Sequence, residues 1–140
     1  MQAWKCEFEK PTIKGLIGAL DPEAGALYQE LRRSVLKRVK KKPKLEWMGL
    51  TWCWCECTAV DDGGMLGGVY LVCDPANPRV ALSLSTAFFE AHPPHTLPKV
   101  LHSGFEQATC VGHQTWCEWR ISSQELVAGV IEVIAQAHGA

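Results

Sequence analysis

With 140 residues, 47% of them hydrophobic and 21% charged, the chain has the size and apolar content of one folded domain and excludes a mainly disordered polymer. Its formal charge of −1 gives no overall bias toward acidic partners, and no apolar run approaches the ~20 residues of a membrane helix, so no membrane partner is expected. Seven cysteines, an odd count, and an N-terminal "MQAWKCEFEKPT" without the apolar centre of a signal peptide point to a reducing cytoplasmic setting with free thiols.

Residues 1–20 are weakly patterned and read as a short edge segment before the first helix. Asp21 caps that helix, Pro22 opens it, and Ala24, Leu27, Leu31, Val35 and Val39 keep helical spacing to about Lys40, with Pro43 as the stop. Eight of the 14 basic residues fall between Arg32 and Lys44. Such a run suits a nucleic-acid surface, but it holds no aromatic residue to stack bases. Cations offsetting the negative pole of a helix C-terminus explain it more simply, so a nucleic-acid partner is disfavoured.

A strand comes next near 50–59, then the turn "DDGG", a strand over 68–73, the turn "DPANP" and a strand over 79–89. "HPPH" is a stiff loop, and Thr96 and Pro98 open a short helix through Leu101 and Phe105. Residues 110–121 read as a fourth strand. Ser122 and Glu125 form a capping box for a last helix striped by Leu126, Val130, Val133, Ile134 and Ala137. The order α-β-β-β-α-β-α predicts a single α+β domain over 1–140, a mainly antiparallel sheet with helices packed on one face.

The run from "KPKLEWMGLTWCWCEC" through "GGVYLVCDP" to "WCEWRISSQELVAGVIEVI" resembles small bacterial domains of the YdhG-like kind and their uncharacterised relatives. The resemblance implies this architecture. One branch of that group is described as frataxin-like iron chaperones. The acidic surface such a chaperone needs is missing from the basic first helix, so the iron role is not carried over.

Alternation sorts the strands into faces. In "LTWCWCEC", Cys53, Cys55 and Cys57 point one way, and Trp52, Trp54 and Glu56 the other. In the fourth strand Val111, His113, Thr115, Cys117, Trp119 and Ile121 share one side, and Gln114, Trp116, Glu118 and Arg120 the opposite one. The expectation is that the cysteines join the Cys117 side under the helices. Trp52, Trp54, Glu56, Trp116, Glu118 and Arg120 then form the other face, beside the small residues Ala81, Ser83 and Ser85. That face is the candidate site for a small organic or cationic ligand. The competing reading is an interaction module or homo-oligomer that buries the tryptophans.

Steps of two along a strand place the cysteines about 6.7 Å apart with parallel side chains, poor geometry for a disulfide or for converging zinc thiolates. No metal or cofactor is expected. A thiol- or metal-dependent alternative would recruit Cys73 or Cys117, or pair a cysteine with His113. His92, His95 and His102 read as surface residues. Glu56 and Glu118 suit an acid/base pair, a cation site, or a structural ion pair with Arg120. No catalytic motif is present, so any enzymatic role is left open.

Overall fold

The computed structural model describes residues 12–39, 43–48, 53–59, 65–72, 74 and 77–138. Trp52, Cys73, the "DDGG" turn, most of the N-terminal segment and Lys40 to Lys42 of the basic run lie outside them. Helix α1 (Ile13–Gly18) opens where the Thr12 hydroxyl accepts the Gly15 amide at 3.1 Å. Helix α2 (Pro22–Val39) starts as expected, the Asp21 carboxylate accepting the Ala24 amide at 2.9 Å. Its buried stripe is Gly25, Tyr28, Leu31, Val35 and Val39, rotated from the predicted one because Tyr28 brings far more apolar surface than Ala24.

Among the described residues the sheet has six strands in the order β1-β2-β3-β4-β6-β5, every neighbouring pair antiparallel. They are β1 (Lys44–Met48), β2 (Cys53–Ala59), β3 (Leu66–Val72), β4 (Arg79–Ser85), β5 (Thr109–Val111) and β6 (Gln114–Arg120). Two differ from expectation. The "KLEWM" run, which precedes the predicted first strand, is itself a strand that pairs with β2, Trp47 opposite Trp54. The predicted fourth strand is a hairpin, since Gly112 takes a positive φ of 65° and, with His113, reverses the chain.

Strand β4 also ends early. After Ser85 the chain turns into α3 (Thr86–Ala91), which buries Phe88, and two 3₁₀ turns, Pro94–Thr96 and Lys99–Leu101, lead to α4 (His102–Glu106). The last helix, α5 (Gln124–His138), is capped one residue later than the box predicted: Ser123, not Ser122, accepts the Leu126 amide, at 3.2 Å.

All the helices contribute to one face. Leu16 and Leu20, the α2 stripe, Phe88, Leu101 and the inner side of α5 close over Val69, Leu71, Val80, Leu82, Leu84, Cys117 and Trp119. The α+β architecture with helices on one side of an antiparallel sheet is therefore as the sequence implied. Trp119 locks the α4 corner: its indole N–H donates to the Leu101 carbonyl at 2.9 Å, and its ring lies where a side chain at Gly104 would be.

Gly104→Ala should therefore cost about 1–3 kcal/mol through overpacking. Gly18→Ala, where an added methyl meets nothing within 4 Å, should be neutral or gain up to ~1 kcal/mol of helix propensity. Urea unfolding of the two variants checks the contrast; equal effects would contradict this packing.

Candidate functional site

Register decides which predicted site residues meet. Glu56 pairs with Leu71, Leu71 with Val80, and Val80 with Trp119, so Glu56 lies on the helix-covered face. Trp54, two residues away, shares that face, is 8% exposed and meets Trp47 edge-on with centroids 6.1 Å apart. Cys55 and Cys57 point the other way and form a small second apolar cluster with Val72 and Tyr70. The expected placement of β2 is thus reversed, while that of β6 holds. Trp54 and Glu56 do not face Trp116, Glu118 and Arg120.

The reversal has a physical cause. A carboxylate on a strand suggests a wet face, but α2 places Arg32 over Glu56, whose Oε1 and Oε2 accept from the Arg32 Nε at 2.8 and 2.9 Å. Glu56 is 5% exposed. Its charge is met in place by the guanidinium, which in turn is held above its ordinary pKa chiefly by that hydrogen bond.

On the opposite face, Tyr70 on β3 and Trp116 on β6 reach across β4, their ring centroids 4.7 Å apart and tilted by 34°. They close over Ala81 and Ser83, so the small side chains of β4 seat an aromatic pair and do not floor an empty hollow. Glu118 accepts from the Trp116 indole at 3.2 Å and from Arg79 at 2.9 Å. Its ionic partner is Arg79 and not Arg120, which is exposed. Gln114 accepts a hydrogen bond from the Ser83 hydroxyl at 3.0 Å.

Cys57 and Cys117 are poorly suited to nucleophilic chemistry. Burial pushes Cys57 and Cys117 up to about 12, with Cys55 and Glu46 adding to the effect at Cys57. Cys55, Cys57, Cys110 and Cys117 are all free. His113 is not on the inner face, where alternation along a continuous strand would place it: it is exposed in the β5–β6 turn, away from the position that the Cys–His pairing of the thiol-dependent alternative requires. His92 and His102, expected at the surface, are half-buried; His92 packs on Phe88 with centroids 5.0 Å apart, and His102 Nε2 lies 3.0 Å from the Leu97 carbonyl oxygen. Among the described residues no three His, Cys, Asp or Glu side chains converge as metal ligands, and no helix is long and apolar enough to cross a membrane.

Tyr70 and Trp116 line none of three hollows that indent the described residues. One of about 310 Å³ places Arg120 with Asp21 and Glu23; one of about 360 Å³ adjoins His95, His102 and Phe105. The largest of the three, about 560 Å³, runs between α1 and α2. The three-residue link between those helices folds α1 back along α2, burying Leu16 and Leu20 inward and leaving Ile17 and Gly18 to face Gln29 and Leu36 across a cleft. Lys14, Arg32 and Arg33 also line it. Sequence reasoning misses this site because α1 is too short to show a helical pattern; Thr12 as a cap before "IKGLIG" is the available signal.

Compared with protein-family models, curated proteins and solved structures, the chain matches none.

Three measurements test this arrangement: stability against pH, thiol alkylation and unfolding of two variants. Below the ordinary thiol value of about 8.5, Cys57 and Cys117 are protonated in both folded and unfolded chains. As pH rises from there toward about 12, the unfolded chain releases protons that the fold retains, so stability falls across that window. In the native protein at pH 8, alkylation should reach exposed Cys110 before Cys57 and Cys117, which react only on unfolding; equal rates for these three would contradict the burial. The Arg32–Glu56 pair should respond asymmetrically. Arg32→Met strands a buried carboxylate and should cost roughly 3 kcal/mol. Glu56→Gln should cost about 1 kcal/mol, because the Arg32 side chain, 30% exposed, still reaches water.

Proposed function

We propose that this protein binds a small organic molecule in the cleft between α1 and α2, and acts by binding rather than by covalent catalysis. The observation that carries the reading is the cleft itself: about 560 Å³, walled largely by apolar surface, with a few polar groups converging on it. A volume of that order suits a metabolite-sized ligand. The neutral, buried thiols support the non-covalent part of the reading, and four free cysteines support a reducing, cytoplasmic setting. The likeness to YdhG-like domains supports the architecture alone and adds no iron role.

The half-buried Tyr70–Trp116 pair favours a second reading, in which the helix-free sheet face takes a flat ligand or a second subunit. One experiment separates the two. A thermal-shift screen of small organic molecules is run on the wild type, on Gly18→Trp and on Trp116→Phe. Gly18 lines the cleft and has open space around it, so an indole there fills the cleft without disturbing the core. The cleft reading expects stabilisation by ligand to vanish in Gly18→Trp and persist in Trp116→Phe. The opposite pattern would overturn it in favour of the sheet face.

A further inference from the structure

We infer that the ligand of the α1–α2 cleft is a single-headed organic anion with an apolar tail, its head held by Arg32 with Lys14 and Arg33, and its tail laid against Ile17 and Leu36. The inference rests on the cleft reading above and adds the chemical class of the ligand.

A guanidinium carries five N–H donors, one of them on Nε. Glu56 takes that one donor with both of its oxygens, at 2.8 and 2.9 Å. The four N–H groups of the terminal nitrogens remain, and among the described residues no protein acceptor meets them. Arg32 lines the cleft beside Lys14 and Arg33, and a guanidinium with free terminal donors suits the bidentate reception of a carboxylate or phosphate. The hydrogen bond from Nε limits the rotamers of the side chain, so less freedom remains to be lost when an anion docks.

Charge points the same way. Lys14, Arg32 and Arg33 line the cleft, and Glu56 behind Arg32 offsets one of them, leaving two positive charges in excess. Among the described residues no acidic side chain lines it. A cationic ligand would meet repulsion there, and a neutral one would gain nothing from the excess positive charge. Ile17 and Leu36, on the two facing helices, are half-buried, and Gly18 contributes no side chain, so the cleft combines apolar walls with a cationic lining. A fatty acid and an alkyl phosphate share the chemistry that fits: one anionic group on one flexible hydrocarbon chain.

The test compares decanoate, decyl phosphate and decan-1-ol, each below its aggregation threshold, by calorimetric titration of the wild-type protein. At least one of the two anions should bind about tenfold or more tighter than the alcohol, and raised salt should weaken the anion but not the alcohol. Whichever anion is preferred identifies the head as carboxylate or phosphate. Equal binding of all three would overturn the anion assignment while leaving the cleft reading intact. Binding of none, in a protein that also fails the small-molecule screen, would overturn both. Because Arg32→Met alone strands Glu56, the assignment of the head to Arg32 is tested in the double variant Arg32→Met/Glu56→Gln, with its fold confirmed by circular dichroism. There the anion should fall to within about threefold of the alcohol, and the affinity for decan-1-ol should be unchanged. Full retention of the anion preference would overturn the role of Arg32.

Discussion

A carboxylate under a helix layer is tolerable only if a cation reaches it there, and the meeting of Glu56 with Arg32 governs much of the organisation of this molecule. Strand β2 carries apolar side chains on both of its faces, so hydrophobicity alone leaves its phase weakly specified. With Arg32 held over the sheet by the Tyr28–Leu31–Val35 stripe, turning Glu56 inward gains a paired charge, and turning it outward would leave a guanidinium half-covered with no acceptor. That choice sends Trp54 inward and the cysteines outward. Arg32 also lines the α1–α2 cleft, so one ion pair joins the phase of an interior strand to a residue of a surface cavity.

The two faces of the sheet are consequently built from different chemistry. The helix side is a broad aliphatic core with Phe88 and Trp119 at its α4 corner and one satisfied ion pair within it. The other side is a mosaic: two buried thiols and Val72 near β2, the Tyr70–Trp116 pair across β4, and the Arg79–Glu118 bridge beside it. Glu118 closes this mosaic by accepting from both Trp116 and Arg79. The indole and the guanidinium are thereby held by one carboxylate, so the aromatic pair and the ion pair form one connected unit.

Local signals are legible in the sequence wherever one residue type decides one conformation. Asp21 with Pro22 opens α2, and the period of Leu126, Val130, Val133, Ile134 and Ala137 marks the inner stripe of α5. The inside–outside sorting of β6 is also legible, since Cys117 and Trp119 alternate with Glu118 and Arg120. Relations between elements are not. Alternation divides Trp54 and Glu56 from Cys55 and Cys57, but only the partner across the ladder says which set faces the helices. The ion pair that fixes it joins residues 24 positions apart. The cleft is less legible still, being the gap between two helices whose separation depends on the burial of Leu16 and Leu20.

The two margins of the sheet carry a consequence of their own. At one margin β5 is only three residues long and ends in the Gly112 turn, too brief to template a foreign strand. At the other, β1 presents the exposed charged side chains of Lys44 and Glu46 in alternation with Leu45 and Trp47. A strand arriving beside β1 would have to lie against both charges, and one arriving beside β5 would find only three residues to pair with. Lengthening of the sheet by recruitment of other chains, the route by which open antiparallel sheets grow into fibrous aggregates, is thereby resisted at both ends.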